Sequence, residues 1–189
     1  MQSLFIPKSF PYDGTQLSSL FAYLNHNILG PSIVSWRGQC NISPEHMVDG
    51  EDLLANAEIA GDEMLHFIIE VFDRDLFSAV SLQRLFASIV RDYLQEASSE
   101  LQKKATLVRD GDDLYLGDRK LSISIATRSP VSVMIHFAMN ITNEGTPVKT
   151  LCLGDLKLKP EVVAEDLMQK FKVEYESILK ATMKVRPVN

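Results

Sequence analysis

Residues Gly111–Ile141 read GDDLYLGDRKLSISIATRSPVSVMIHFAMNI, and their period-two alternation decides the fold class. Residues 113–116 and 120–127 flank Gly117-Asp118-Arg119, a short hairpin signal, and residues 131–141 follow Arg128-Ser129-Pro130. Strand side chains alternate between faces. Leu121, Ile123 and Ile125 therefore share one face, and Lys120, Ser122, Ser124 and Ala126 the other. In the next strand Val133, Ile135, Phe137 and Met139 lie opposite Ser132, Met134, His136, Ala138 and Asn140. If the two strands align their bulky sides, the second face is small or polar and holds Lys120, His136 and Asn140. Small side chains leave room for something on top, either a packed helix or a ligand. A lysine among them must reach water or meet an anion.

Outward from this block, residues 15–27 place Leu17, Leu20, Phe21 and Leu24 on one helical stripe, stopped by Gly30-Pro31. Residues 32–42 alternate as a strand, with Gly38 as a bulge or close-approach point. Residues 50–60 start acidic, as a helix first turn prefers. Residues 64–72 read as a strand buried on both faces. Residues 75–97 and 160–181 read as amphipathic helices, the latter with Pro160 near its first turn. The order is not a clean βαβ alternation. It predicts an α+β fold with a mixed, mostly antiparallel sheet flanked by helices, as a single domain over 1–189.

Composition narrows the function classes. A chain of 189 residues, 46% hydrophobic, buries a sizeable core without staples. Two cysteines, Cys40 and Cys152, with no CxxC pair argue against a thiolate zinc site. Net charge is −6 with scattered basic residues, so no nucleic-acid partner is expected. No window is apolar enough to span a bilayer, so no membrane partner is expected either. Few cysteines and no basic-then-apolar leader predict a cytoplasmic location. No Walker, Rossmann or GxSxG motif is present, and the four histidines lack metal-ligand spacing.

Three pieces of the central stretch agree in order and spacing with one superfamily. Asp112-Asp113-Leu114-Tyr115, Asp118-Arg119-Lys120-Leu121 and His136-Phe137-Ala138-Met139-Asn140 resemble the core of the biotin protein ligases, lipoate ligases and octanoyltransferases. The whole chain resembles an uncharacterised family grouped within that superfamily. The resemblance implies a biotin/lipoate-ligase-like (class II synthetase-like) architecture and either an acyltransferase or ligase-like activity or, as the alternative, a non-catalytic small-anion-binding or structural member of the same fold. Its ligand would be a small carboxylic acid or acyl-adenylate, with an acyl carrier domain as a second partner. Lys120 would stabilise charge on the acyl oxygen or phosphate. Ser122, Ser124, His136 and Asn140 would line the substrate slot. Asp112 or Asp113 would hold magnesium on ATP, or cap the turn by hydrogen bonds. The glycine-rich, arginine-rich segment of the ligases is reduced here to Ser35-Trp36-Arg37-Gly38-Gln39-Cys40, leaving Arg37 as the one anion clamp. Cys152 follows Asn140 at the spacing of an octanoyltransferase nucleophile. Its leucine neighbours, Leu151 and Leu153, equally suit a small buried hydrophobe.

Three other features have bland readings. Asp49, Glu51 and Asp52 suit a helix N-terminus more than a magnesium site. His66, in MLHFIIE, reads as a hydrogen-bonded core histidine. Tyr12 and Trp36 read first as turn and core residues.

Overall fold

A computed structural model describes residues 1–104 and 106–188. Its strands are β1 (Gln2–Ile6), β2 (Ser32–Asn41), β3 (Ala60–Phe72), β4 (Val108–Asp110), β5 (Asp113–Leu116), β6 (Arg119–Lys120), β7 (Ser122–Arg128) and β8 (Ser132–Asn140). The helices are α1 (Phe21–His26), α2 (Gly50–Ala55), α3 (Leu76–Ala97), α4 (Ser99–Lys104) and α5 (Pro160–Thr182). A 5-stranded sheet runs β1-β2-β3-β8-β7, and β4-β5-β6 form a small second sheet. Only the β1–β2 pairing in the large sheet is parallel. The fold is therefore α+β with a mixed, mostly antiparallel sheet and flanking helices, as the alternation predicted.

The large sheet is covered on both faces. Under α3 and α5, Phe86 meets Phe67, Phe137 and Phe171 with ring centroids 5.3, 5.2 and 5.1 Å apart. Edge-to-face contacts of this kind add to the hydrophobic gain of burial. Asp75 starts α3 by accepting a hydrogen bond from the Ser78 N–H at 2.8 Å. The opposite face carries a smaller core of Tyr12, Phe21, Val34, Trp36, Met64, Ile68 and Ala138. Phe10 stacks on Trp36 at 4.7 Å there.

Several expected boundaries move for local reasons. The 15–27 helix shrinks to α1, because Leu20 takes a left-handed conformation (φ 63) and donates its N–H to the buried Glu70 carboxylate at 2.7 Å. The 50–60 helix stops at Ala55, where Asn56 adopts φ 49, and β3 already begins at Ala60. The strand expected over 120–127 breaks at Leu121. Lys120 pairs with Tyr115 in the small sheet, and Ser122 joins β8 in the large one.

One correction bears on the site. The turn over Ser129 to Ser132 pairs Ser124 with Phe137, Ser122 with Met139 and Ala126 with Ile135. The small face of β7 thus lies beside the bulky face of β8, not its small one, because a one-residue change of register swaps faces. The packed helix of the two alternatives lies over this small face: Gln83 of α3 donates to Ser124 Oγ at 3.0 Å. The opposite face of the pair carries Ile123 and Ile125 with His136 and Ala138.

Candidate functional site

On that opposite face two adjoining cavities form a groove. The floor is Ile123 and Ile125 of β7, and the roof is the β2–β3 connection from Ile42 to Ile59, which includes α2. The first cavity, 260 Å³, is polar, with Tyr12 and His136 on its lining together with Asp112, Asp113 and Lys120. The second, 220 Å³, is more apolar and touches Ala57, Met64, Pro147 and Val148, with Ser122 and Asn140. Asp52, Ile59, Lys120 and Ile123 border both. Lys120 therefore stands at the seam of the groove.

The break at Leu121 puts it there. The Lys120 N–H donates to the Lys149 carbonyl at 3.0 Å, and the Lys120 carbonyl accepts from the Leu151 N–H at 3.0 Å. The buried Asn140 amide donates to the Lys120 and Leu151 carbonyls, both at 3.2 Å. Asn140 thus positions the Lys120 backbone rather than acting only as a polar wall. The ammonium pairs with Asp113 Oδ2 at 2.7 Å. Burial acts to lower its pKa, but the hydrogen bond and charge of Asp113 outweigh that, and the net shift is upward. Lys120 is a cation with two further N–H bonds to offer.

The carboxylates around it are already engaged. Asp112 pairs with Arg84 at 3.1 Å and accepts from Gln83 at 2.7 Å. Burial raises its pKa against the pull of Arg84. Asp113 accepts from the Tyr115 hydroxyl at 3.2 Å besides Lys120. Asp49 caps α2 through the Glu51 and Asp52 N–H groups. Burial and then Asp49 raise the pKa of Asp52. Among the described residues no group of three or more His, Cys, Asp or Glu is arranged to hold a metal ion.

A triphosphate fits these residues poorly. Asp49, Glu51, Asp52, Asp112 and Asp113 line the polar cavity, against Lys120. Gly38, the remnant of the glycine-rich segment, offers no phosphate cradle, since a Cβ there would overlap the Phe10 carbonyl.

The remaining candidates are spread through the sequence, and the fold sorts them. Ser122 and Ser124 border the groove, but Ser122 Oγ accepts from the Leu114 N–H at 3.0 Å and Ser124 Oγ donates to the His136 carbonyl at 2.7 Å. Arg37 is in register with Leu65, on the α5 side of the sheet, and pairs with Glu63 and Glu161. It is not brought to the groove. Cys152 is buried outside both cavities; its sulfur accepts from the Asp155 N–H at 3.4 Å, and burial pushes its pKa up.

Tertiary structure adds His66 and Tyr12 to the predicted His136. His66 and His136 touch, Nδ1 to Nε2, at 3.1 Å. Tyr12 stacks on His136 with ring centroids 3.7 Å apart. The sequence carried one faint signal: both histidines precede a phenylalanine in apolar strands, Leu65-His66-Phe67 and Ile135-His136-Phe137.

This mixed sheet, with its groove between β7–β8 and the β2–β3 connection, has the fold of the biotin and lipoate protein ligases. The chain superposes on biotin acetyl coenzyme A carboxylase synthetase from Helicobacter pylori with a TM-score of 0.57 and 15% identity, over 90% of this chain and 73% of that one. With lipoate-protein ligase A bound with ATP the TM-score is 0.59 and the identity 17%, over 93% and 86% of the two chains. At such identities the likeness is one of fold.

The chain belongs to the family described as Domain of unknown function (DUF366), which it matches over residues 1–186. A protein of unknown function from Pyrococcus horikoshi is similar over 100% of both chains, at 39% identity and a TM-score of 0.92. An uncharacterised protein of Methanocaldococcus jannaschii is 30% identical over 100% of this chain and 86% of its own length.

Proposed function

We propose that this chain binds a small carboxylic acid or acyl compound in the groove, with the carboxyl or acyl oxygen at Lys120 and the aliphatic part on Ile123 and beneath Ile59. The observation that carries the reading is the place of Lys120, which borders both cavities beside the Ile123 floor and Ile59 roof that they share. A fixed cation beside an apolar slot is complementary to one carboxylate on an aliphatic body. The fold it shares with biotin and lipoate ligases supports the same ligand class by analogy.

The reading is one of binding rather than activation. The carboxylates around Lys120 oppose a nucleotide triphosphate, and Cys152 is a buried thiol outside the groove, so neither ATP nor a thioester step enters it. The test is thermal stabilisation of wild type and Lys120→Met by octanoate, lipoate and biotin. Selective binding to the native state raises the melting temperature by mass action. A shift in wild type that Lys120→Met loses, while remaining folded, supports the reading. No shift with any of the acids in a folded sample overturns it.

A further inference from the structure

The paired histidines fix each other's protons, beginning at Gly38. Its carbonyl lies 3.1 Å from His66 Nε2 and can only accept, so His66 Nε2 carries a hydrogen. A neutral imidazole has one N–H, which leaves His66 Nδ1 as a lone pair. That lone pair, 3.1 Å from His136 Nε2, requires the His136 hydrogen to sit on Nε2. His136 Nδ1 is then an acceptor. Both rings are buried, at 0% and 1% exposure, and burial favours their neutral forms.

His136 Nδ1 has no partner among the described residues, yet His136 lines the polar cavity and Tyr12 covers its ring face. This nitrogen is not one of the sealed, unpartnered side-chain atoms, which among the described residues are Ser32 Oγ, Arg109 Nε and Thr142 Oγ1, so it is reached from the cavity and is placed to accept from a donor on the cavity's occupant. The acidic lining points the same way, because Asp49, Glu51 and Asp52 on the roof favour N–H and O–H groups over further oxygen acceptors. We propose that the polar cavity selects a ligand bearing a neutral N–H or O–H donor of the amide, urea or hydroxyl class, which donates to His136 Nδ1. This deepens the reading of the groove as a carboxylic-acid site: Lys120 holds one end of the molecule and His136 the other. His66 is a positioning residue that sets the His136 tautomer.

The test has two parts. Nitrogen-15 spectra of the histidines in the free protein should show both rings neutral with the hydrogen on Nε2. A hydrogen on His136 Nδ1 overturns the inference, whatever the ligand. Binding is then compared for octanoate and its ω-amide counterpart, the monoamide of suberic acid. Wild type should prefer the amide about tenfold, the effect of satisfying one buried acceptor. His136→Leu should abolish the preference. His136→Gln, which offers both a donor for His66 and an acceptor for the ligand, should restore it in part. Lys120→Met should weaken both acids and leave their ratio unchanged.

Equal binding of the two acids would mean that Nδ1 is served by water only, and overturns the inference while leaving the acid site standing. If neither acid binds, the acid site fails. The donor inference then survives only if acetamide still shifts the His136 Nδ1 signal, and falls if it does not.

Discussion

His66 Nδ1 and His136 Nε2 meet at 3.1 Å inside the aromatic layer under Tyr12 and Trp36, with His66 sealed from solvent and His136 reached only at the edge of the polar cavity. Burial lowers the His66 pKa from 6.5 to about 4, against the opposing effect of its bond to Gly38. Burial, then the charge of His66, takes His136 well below the same reference. Above pH 6.5 both the folded and unfolded chains hold these rings neutral, and the pair has no pH effect. As pH falls below 6.5, the unfolded chain takes up protons that the folded one refuses, so stability falls down to about pH 4. Each refused proton contributes a slope of about 1.4 kcal/mol per pH unit. Denaturant midpoints measured across that window should fall more steeply for wild type than for His136→Gln. Equal slopes would show that the rings are not held neutral.

Arg37 tests which face of the sheet is functional. Its guanidinium joins Glu63 of β3 to Glu161 at the start of α5, in a position about a third exposed to water. Water and salt weaken such a pair, so Arg37→Ala should cost about 1 kcal/mol in urea unfolding. Acid binding in the groove should be unchanged. Loss of binding in a folded Arg37→Ala protein would place the anion site on the α5 side.

Gly38 is a site of close backbone approach. The Phe10 carbonyl occupies the space of its missing side chain, while also accepting from the Trp36 indole at 3.1 Å. Gly38→Ala must displace the 7–14 segment that carries Tyr12 over the histidines. The expected cost is about 3 kcal/mol or more, read as a drop in melting temperature, together with loss of the His66–Gly38 bond. A near-neutral Gly38→Ala would contradict this packing.

Both thiols should be inert in the folded protein. Burial pushes Cys40 up to about 12 and raises Cys152 as well. A disulfide reagent added to native protein at neutral pH should find neither, and should find both after unfolding in guanidinium. Fast native modification that Cys152→Ala removes would reopen a nucleophilic role for that residue.

Period-two alternation in Gly111–Ile141 and the amphipathic stretches around Phe86 and Phe171 were enough to set the α+β class, because burial demands one apolar face per element whatever its neighbours. The same reading singled out Lys120, His136 and Asn140 as a group, and all three border the groove. What the stretch did not contain was the register. The turn over Ser129 to Ser132 decides that Ser124 faces α3 and that Ile123 floors the groove, and alternation alone is equally satisfied by either pairing. Nor did it contain the break at Leu121, which hands Lys120 to the small sheet and its ammonium to Asp113. The remaining relations join residues far apart in the chain: Arg37 to Glu161, Lys120 to Thr150, and His66 to His136 across seventy positions. Local sequence fixes which way a side chain turns from its own backbone. Only the assembled sheet decides what it meets there, and so turns two core histidines into one hydrogen-bonded chain ending at a cavity.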